Sequence, residues 1–151
     1  MKTLLIVYHT HGVKTAQMAE AVARGASTES EVRVIVKRCG DAGPEDVLNA
    51  DALVLGTPEN FGYMSGMMKD FLERVFYPCE GRIEGRPWVL FVSAGQDGRG
   101  AISSVERIVT GLRLKKVRAP ILALREVTPE ILAQCEELGA TLAAGIAAGV
   151  L

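Results

Sequence analysis

Short apolar runs alternate along the chain with segments of helical periodicity, and this alternation constrains the fold more than any other feature. The runs cover residues 4–8, 31–37, 52–56, 88–92 and 120–124, and a helical pattern follows each one. Strands that alternate with helices favour an α/β fold in which helices cover both faces of a parallel sheet. The length of 151 residues suits one domain, so residues 1–151 are predicted to form a single core.

Local signals refine this pattern at three points. Ser65 is predicted to cap the helical segment that follows it, and Thr128-Pro129 is predicted to start the last helix. Pro120, at the start of the fifth run, favours an edge strand because proline has no N–H to donate to a neighbouring strand. Strand order cannot be read from periodicity.

Charge and cysteine content exclude several classes of function. The 17 basic and 18 acidic residues form no block of one sign, which argues against a nucleic-acid partner. Cys39, Cys79 and Cys135 lie far apart without metal-ligand spacing, so reduced thiols and a cytoplasmic location are expected. No signal peptide is evident, and the apolar stretch 143–151 is shorter than the roughly 18 residues of a membrane span, so no membrane partner is expected.

In a parallel α/β sheet the ligand lies outside the carboxyl ends of the strands, where the strand order reverses. Three loops should therefore carry the chemistry: residues 9–15, 57–66 and 94–100. The first ends a strand and opens a helix, so its N–H groups, with Thr10, Lys14 and Thr15, could bind a phosphate. The alternative is that Thr15 only caps the helix and Lys14 is solvated. Val13 occupies the position where a Walker A loop has glycine, so that motif is excluded.

The second and third loops differ in aromatic content. Phe61 and Tyr63 lie in a polar, glycine-bearing segment, where a flat ligand would supply an apolar partner. The alternative is that one of them folds back over the core. The third loop contains Gly95, Gly98 and Gly100, which would allow close approach to a ligand, although a flexible connector would look the same.

The segment Gly56–Lys69, GTPENFGYMSGMMK, resembles the G-T-P-x-x-F-G-x-M-S-G-x-x-K stretch of NAD(P)H-dependent flavin and quinone reductases in the flavodoxin-like superfamily. The resemblance covers essentially the whole chain and implies a three-layer α/β/α fold whose five-stranded parallel sheet has the order 2-1-3-4-5. It implies FMN as cofactor, NAD(P)H as electron donor and a small-molecule electron acceptor, and it is compatible with a homodimer. It implies no catalytic side chain. The implied FMN-binding residues are Thr10, His11, Gly12, Val13, Lys14, Thr15, Pro58, Glu59, Asn60, Phe61, Gly62, Ser93, Ala94, Gly95, Gln96 and Gly98.

Three functions remain open at this point. The first is an FMN-binding oxidoreductase that passes electrons from NAD(P)H to a quinone or similar acceptor. The second is a flavodoxin-type electron carrier, although the third loop has no aromatic to cover the second flavin face and the net charge is only −1. The third is a relative that has lost FMN. Val13 supports it, because this β-branched residue lies where the family has glycine and where a positive φ is expected.

Overall fold

The long strands form one parallel sheet with helices on both faces. The computed structural model describes all 151 residues. The strands are β1 (Lys2–Tyr8), β2 (Val32–Arg38), β3 (Ala52–Asn60), β4 (Tyr63–Met64), β5 (Pro87–Ala94), β6 (Lys115–Lys116) and β7 (Ile121–Leu124). The helices are α1 (Lys14–Ala26), α2 (Pro44–Leu48), α3 (Gly66–Cys79), α4 (Arg99–Gly111) and α5 (Pro129–Ala148).

The sheet has the expected topology with two short additions. The five long strands pair in parallel in the order β2-β1-β3-β5-β7, which is the predicted 2-1-3-4-5 order of a five-stranded sheet. The two-residue strand β6 pairs with the beginning of β5, and the two-residue strand β4 pairs antiparallel with the end of β3. The sheet therefore contains seven strands rather than five.

The prediction that residues 57–66 form a loop was wrong in part, because β3 continues to Asn60. Thr57 and Pro58 still pair with β5, and Glu59 and Asn60 pair with β4. The apolar run ends at Gly56, so the sequence pattern gave no signal for the polar extension. The second loop is consequently a tight hairpin on the end of a rigid strand.

Alternate residues of the strands supply two cores of similar size, one on each face. This is the expected result of side chains pointing to opposite faces along a strand. One core packs beneath α2, α3 and α4 and includes Leu5, Val7, Leu53, Leu55, Leu90 and Val92. The other packs beneath α1 and α5 and includes Leu4, Ile6, Val54, Val89 and Phe91.

Helix α5 has the length and apolar composition of a possible membrane span, but its buried apolar residues belong to the core that α1 and α5 cover on one face of the sheet. Two glycines bring α1 and α5 together. A Cβ added at Gly25 would lie 1.8 Å from the Glu136 carbonyl oxygen, and one at Gly139 would lie 2.0 Å from the Val22 carbonyl oxygen. Only glycine permits this separation of the two helix backbones.

The three local predictions are confirmed. The Ser65 hydroxyl accepts from the Met68 N–H at 3.1 Å and caps α3, and the Thr128 hydroxyl accepts from the Ile131 N–H at 3.2 Å and caps α5. Pro120 directly precedes β7, which is an edge strand because it pairs only with β5.

Candidate functional site

The loops that follow β1, β3 and β5 meet at the carboxyl edge of the sheet, as the sequence predicted. Three sets of hydrogen bonds connect them. The Thr15 hydroxyl lies 2.8 Å from the Ser93 hydroxyl, and the Asn60 amide nitrogen lies 2.8 Å from His11 Nε2. The Glu59 carboxylate accepts hydrogen bonds from backbone N–H groups at the start of α4.

The first loop presents a run of free backbone donors. The N–H groups of residues 10–15 donate to no acceptor within the chain, whereas the Ala16 N–H donates to the Thr10 hydroxyl at 3.4 Å. Helix α1 begins at Lys14, so these groups converge at the positive end of its dipole. Backbone donors at a helix N-terminus are the arrangement that proteins use to bind phosphate.

The backbone of this loop shows no strain at Val13. Val13 is the N-cap of α1 with φ −112° and ψ −18°, and Gly12 also has no positive φ. The expectation that position 13 requires a left-handed conformation was therefore wrong. The loop takes a path that a β-branched residue adopts readily, and the Val13 side chain points to solvent with 65% of its surface exposed.

Thr10 and Thr15 are held in place inside the loop. The Thr10 hydroxyl donates to the Gly12 carbonyl at 2.9 Å, which closes the turn. Thr15 is 1% exposed, and its hydroxyl bonds the Ser93 hydroxyl. It therefore does not cap the helix, which was the alternative role for this residue. Because each hydroxyl is both donor and acceptor, donation by Ser93 leaves the Thr15 proton free for a ligand.

The Lys14 side chain binds a segment outside the first loop. Its ammonium group donates to the carbonyl of Arg125, in the segment between β7 and α5. Lys14 therefore offers the first loop its backbone N–H, while its ammonium group is engaged by the segment that follows β7.

The second loop is a hairpin whose tip is an exposed aromatic. Phe61 and Gly62 are its two central residues, with φ 52° and 68°, which is the pattern of a type I′ turn. Phe61 has 106% of its reference surface exposed and Tyr63 has 43%, so neither folds back over the core. A bulky L-residue in the left-handed region costs about 1–2 kcal/mol. Strained backbone of this kind is found preferentially at functional sites.

The Glu59 carboxylate binds the N-terminus of α4. Its two oxygens accept from the N–H groups of Gly98 at 3.2 Å, Gly100 at 3.1 Å and Ala101 at 3.3 Å. A carboxylate at this position also interacts favourably with the helix dipole. Glu59 was predicted as a cofactor-binding residue, and its side chain in fact joins the second loop to the third. No sequence signal marks this contact, because it spans about 40 residues of chain.

Two further contacts hold the hairpin against α4. A Cβ added at Gly100 would lie 1.7 Å from the Gly62 carbonyl oxygen, so only glycine permits this approach. The Met64 N–H donates to the Ser104 hydroxyl at 3.1 Å. Gly98 precedes the helix with φ 75°, a conformation that also requires glycine. The hairpin and the start of α4 therefore form one rigid unit.

Between the hairpin and the third loop lies a cleft of about 460 Å³, which we call the hairpin cleft. It includes five predicted site residues, and Asp97 and Gly100 also line it. Pro58, Ser93 and Ala94 were predicted as site residues but are buried behind the cleft, where the strands pack. The lining residues are Glu59, Phe61, Gly62, Gly95, Gln96, Asp97 and Gly100.

His9, at the start of the first loop, and two cysteines of the cores have pKa values shifted by burial. Partial burial lowers the pKa of His9, and the nearby His11 and Arg38 lower it further, which favours its neutral form. Burial raises the pKa of the Cys39 and Cys135 thiols to about 12, so neither is a thiolate at neutral pH.

A parallel sheet of this order, with a phosphate-type loop after β1 and a ligand cleft between the loops after β3 and β5, defines a flavodoxin-like protein. A solved flavodoxin from the domain Archaea superposes with a TM-score of 0.84 at 21% identity, over 95% of this chain and 98% of that one. The chain belongs to the NADPH-dependent FMN reductase family, whose model matches residues 41–128.

Two curated relatives carry different names. A flavodoxin of Aquifex aeolicus is 38% identical over 74% of this chain. An NAD(P)H dehydrogenase (quinone) of Acidithiobacillus ferrooxidans is 33% identical over 66% of this chain. The chain spans about 60% of the length of each of these relatives.

Proposed function

We propose that residues 1–151 form a single FMN-binding domain of an oxidoreductase, which passes electrons from NAD(P)H to a quinone or a similar small acceptor. Membership of the FMN reductase family and the quinone-reductase relative support this proposal. One observation carries it: the loop after β1 has free backbone N–H groups, and the hairpin after β3 places an exposed aromatic residue beside a cleft at the same edge of the sheet. The buried, reduced thiols support a cytoplasmic location.

The first loop suits the phosphate of FMN in its donor set. Six consecutive backbone N–H groups, of residues 10–15, are free. The Thr10 and Thr15 hydroxyls are fixed beside them, and no Asp or Glu lies in the segment to repel a dianion. Ser93 orients the Thr15 hydroxyl and so acts on the phosphate through Thr15.

The hairpin cleft suits the flavin ring. Its volume of about 460 Å³ lies within the range of about 300–1,000 Å³ that is usual for ligand pockets. Phe61 supplies an apolar surface at one side, and Gly95 and Gln96 supply backbone and amide groups at the other. A single aromatic side leaves the second ring face accessible to a nicotinamide or a quinone.

FMN, when bound, supplies the redox chemistry by accepting a hydride from NAD(P)H and passing electrons on to the acceptor. The residues of this chain bind and orient. The Glu59 carboxylate is already occupied by three N–H groups, and the Asp97 carboxylate accepts from the Arg99 N–H at 3.0 Å. Neither acid is therefore assigned a proton-transfer role.

An electron carrier is the second candidate, and the Aquifex relative named flavodoxin favours it. Two properties of this chain weigh against it. The third loop contains no aromatic side chain, and a net charge of −1 provides little electrostatic steering towards a basic protein partner.

The proposal is tested by titrating the purified protein with FMN and following the quenching of flavin fluorescence. We expect binding at micromolar FMN or tighter, and about tenfold weaker binding for Thr15→Val, which removes one charge-assisted hydrogen bond. Thr110→Val, an exposed threonine on α4 outside the three loops, is the matched control. Absence of FMN binding would reject both flavin functions, and equal affinity of Thr15→Val would reject the phosphate assignment.

NADPH oxidation then separates the two flavin functions. An oxidoreductase should oxidise NADPH with FMN bound, and addition of p-benzoquinone should increase the rate. A carrier should bind FMN without oxidising NADPH, and should be reduced only by a separate reductase.

A further inference from the structure

Two further cavities lie along the exposed side of α4, beyond the contact between Gly62 and Gly100. A second cavity of about 460 Å³ shares Gly62 and Gly100 with the cleft, and a third of about 550 Å³ shares Arg107 and Ile108 with the second. The third cavity ends at Gly111 between α3 and α4. We call the second and third cavities together the α4 groove. The hairpin backbone at Gly62 separates the groove from the hairpin cleft, so a ligand that occupies both passes over the hairpin tip.

The length of the groove follows from the helix that forms its floor. From Gly100 to Gly111 an α-helix rises roughly 16 Å, at about 1.5 Å per residue. A ligand that begins at the hairpin tip and ends at Gly111 is therefore long and narrow. A nicotinamide dinucleotide has this form, since two riboses and a pyrophosphate separate its two ring systems.

Arg107 gives the α4 groove an unpaired positive charge. Lys69 and Glu73, which also line it, bind each other at 2.6 Å, and the adjacent Glu106 is directed to Lys116 at 2.8 Å. Arg107 is exposed and forms no hydrogen bond or ion pair within the chain. A guanidinium with free donors binds phosphate in a bidentate manner.

The far end of the groove is aromatic and apolar. Phe76 and Tyr77 pack edge to face with their ring centroids 5.3 Å apart, and Tyr77 is 80% exposed. Leu72 and Ile108 line the same cavity. A flat heterocycle such as adenine would cover this surface by stacking. Arg107 lies between this aromatic end and the hairpin, and it lines both cavities of the groove.

We propose that the α4 groove binds the adenosine end of NADPH, with adenine against Tyr77 and the 2′-phosphate on Arg107, while the nicotinamide reaches the hairpin cleft. This inference rests on the proposed function and deepens it by assigning the choice between NADPH and NADH to one residue. The 2′-phosphate is adjacent to adenine in the molecule, as Arg107 is adjacent to the aromatic end of the groove.

The test measures dinucleotide binding directly, by titration calorimetry of the protein with NADP⁺, NAD⁺ and 2′,5′-ADP. Arg107→Gln should weaken NADP⁺ and 2′,5′-ADP about tenfold or more, the loss expected for hydrogen bonds between two charged groups. The affinity for NAD⁺ should change little. Arg33→Gln is the matched control, because Arg33 is an exposed arginine on β2 without a partner. Tyr77→Ser should weaken NADP⁺ and NAD⁺ to the same extent.

Several results would overturn the inference. If Arg107→Gln affects NADP⁺ and NAD⁺ equally, or affects neither, Arg107 does not bind the 2′-phosphate. If Tyr77→Ser or Arg107→Gln converts a dimer into a monomer in analytical ultracentrifugation with NADP⁺ affinity unchanged, a second copy of the chain covers the groove.

The FMN titration, repeated on Arg107→Gln, separates this inference from the proposed function. The inference alone would be refuted if the wild-type protein binds FMN and oxidises NADPH, and Arg107→Gln leaves the affinity for NADP⁺ unchanged. Failure of the wild type to bind FMN would refute the proposed function, and NADP⁺ binding would still decide the inference.

Discussion

Replacing Glu59 by Gln tests whether one carboxylate unites the second and third loops. In the native protein the two carboxylate oxygens accept from the N–H groups of Gly98, Gly100 and Ala101 at 3.1–3.3 Å. The amide of Gln has one acceptor oxygen, and its NH₂ group would face at least one of these donors. The substitution keeps the size of the side chain and removes its charge.

The expected loss of stability can be estimated from these contacts. A hydrogen bond to a charged group contributes about 1.5–3 kcal/mol, and a charge at a helix N-terminus contributes about 0.3–1 kcal/mol when it is partly exposed. Glu59 is half-buried, and Gln retains part of the bonding. We therefore expect Glu59→Gln to lower the free energy of unfolding by about 2 kcal/mol, which is a large fraction of the stability of a single domain.

The assay is equilibrium unfolding in urea, followed by circular dichroism. Glu20→Gln is the matched control, because Glu20 is exposed in the middle of α1 and has no partner. It should change stability by less than about 0.5 kcal/mol. The same two variants should be titrated with FMN, because a loosened third loop should weaken flavin binding for Glu59→Gln alone.

One result would refute the reasoning about this carboxylate. If Glu59→Gln and Glu20→Gln unfold at the same urea concentration with the same slope, the three hydrogen bonds contribute no net stability. The rigidity of the hairpin would then depend on Gly100 and Ser104 alone.

Three further predictions concern the hairpin, its contact with α4 and the thiols. Phe61→Asn should raise stability by about 0.5–1 kcal/mol, since Asn-Gly suits a type I′ turn, and should weaken FMN binding, as urea unfolding and FMN titration would reveal. Unchanged FMN affinity would contradict the binding role of Phe61. Gly100→Ala should cost about 2 kcal/mol or more, because its Cβ would lie 1.7 Å from the Gly62 carbonyl oxygen, whereas Gly66→Ala meets no atom within 4 Å and should be tolerated. Cys39, whose pKa burial raises to about 12, should react with Ellman's reagent at pH 8 only after unfolding, and rapid labelling of all three buried cysteines in the native protein would show that the core opens.

Much of the fold could be predicted from the sequence, because local chemistry specifies it. The apolar runs become strands, Ser65 and Thr128 cap helices, and Pro120 precedes an edge strand. Each of these depends on neighbouring residues along the chain. The convergence of the three loops also followed, since the carboxyl ends of parallel strands share one edge of the sheet.

Other properties of the site depended on contacts between distant segments. The sequence identified Thr15, but only the fold brings Ser93 within 2.8 Å of its hydroxyl. The positive charge of Lys14 was expected to act in the phosphate loop, and the fold alone brings the Arg125 carbonyl to its ammonium group. The doubt about Val13 ended with its φ of −112°, a backbone angle that residue type alone does not determine.

The sequence by itself determined the succession of strands and helices along the chain, the aliphatic core and the three loops at the carboxyl edge. Hydrophobic periodicity and capping determine these features because they operate over a few residues. The tertiary structure alone decided that Glu59 binds the start of α4, that Phe61 projects fully into solvent and that Arg107 lies unpaired in a groove beside the hairpin. The physical reason is that hydrogen bonds, close glycine contacts and cavities join segments that are remote along the chain, so they exist only once the sheet has aligned its strands.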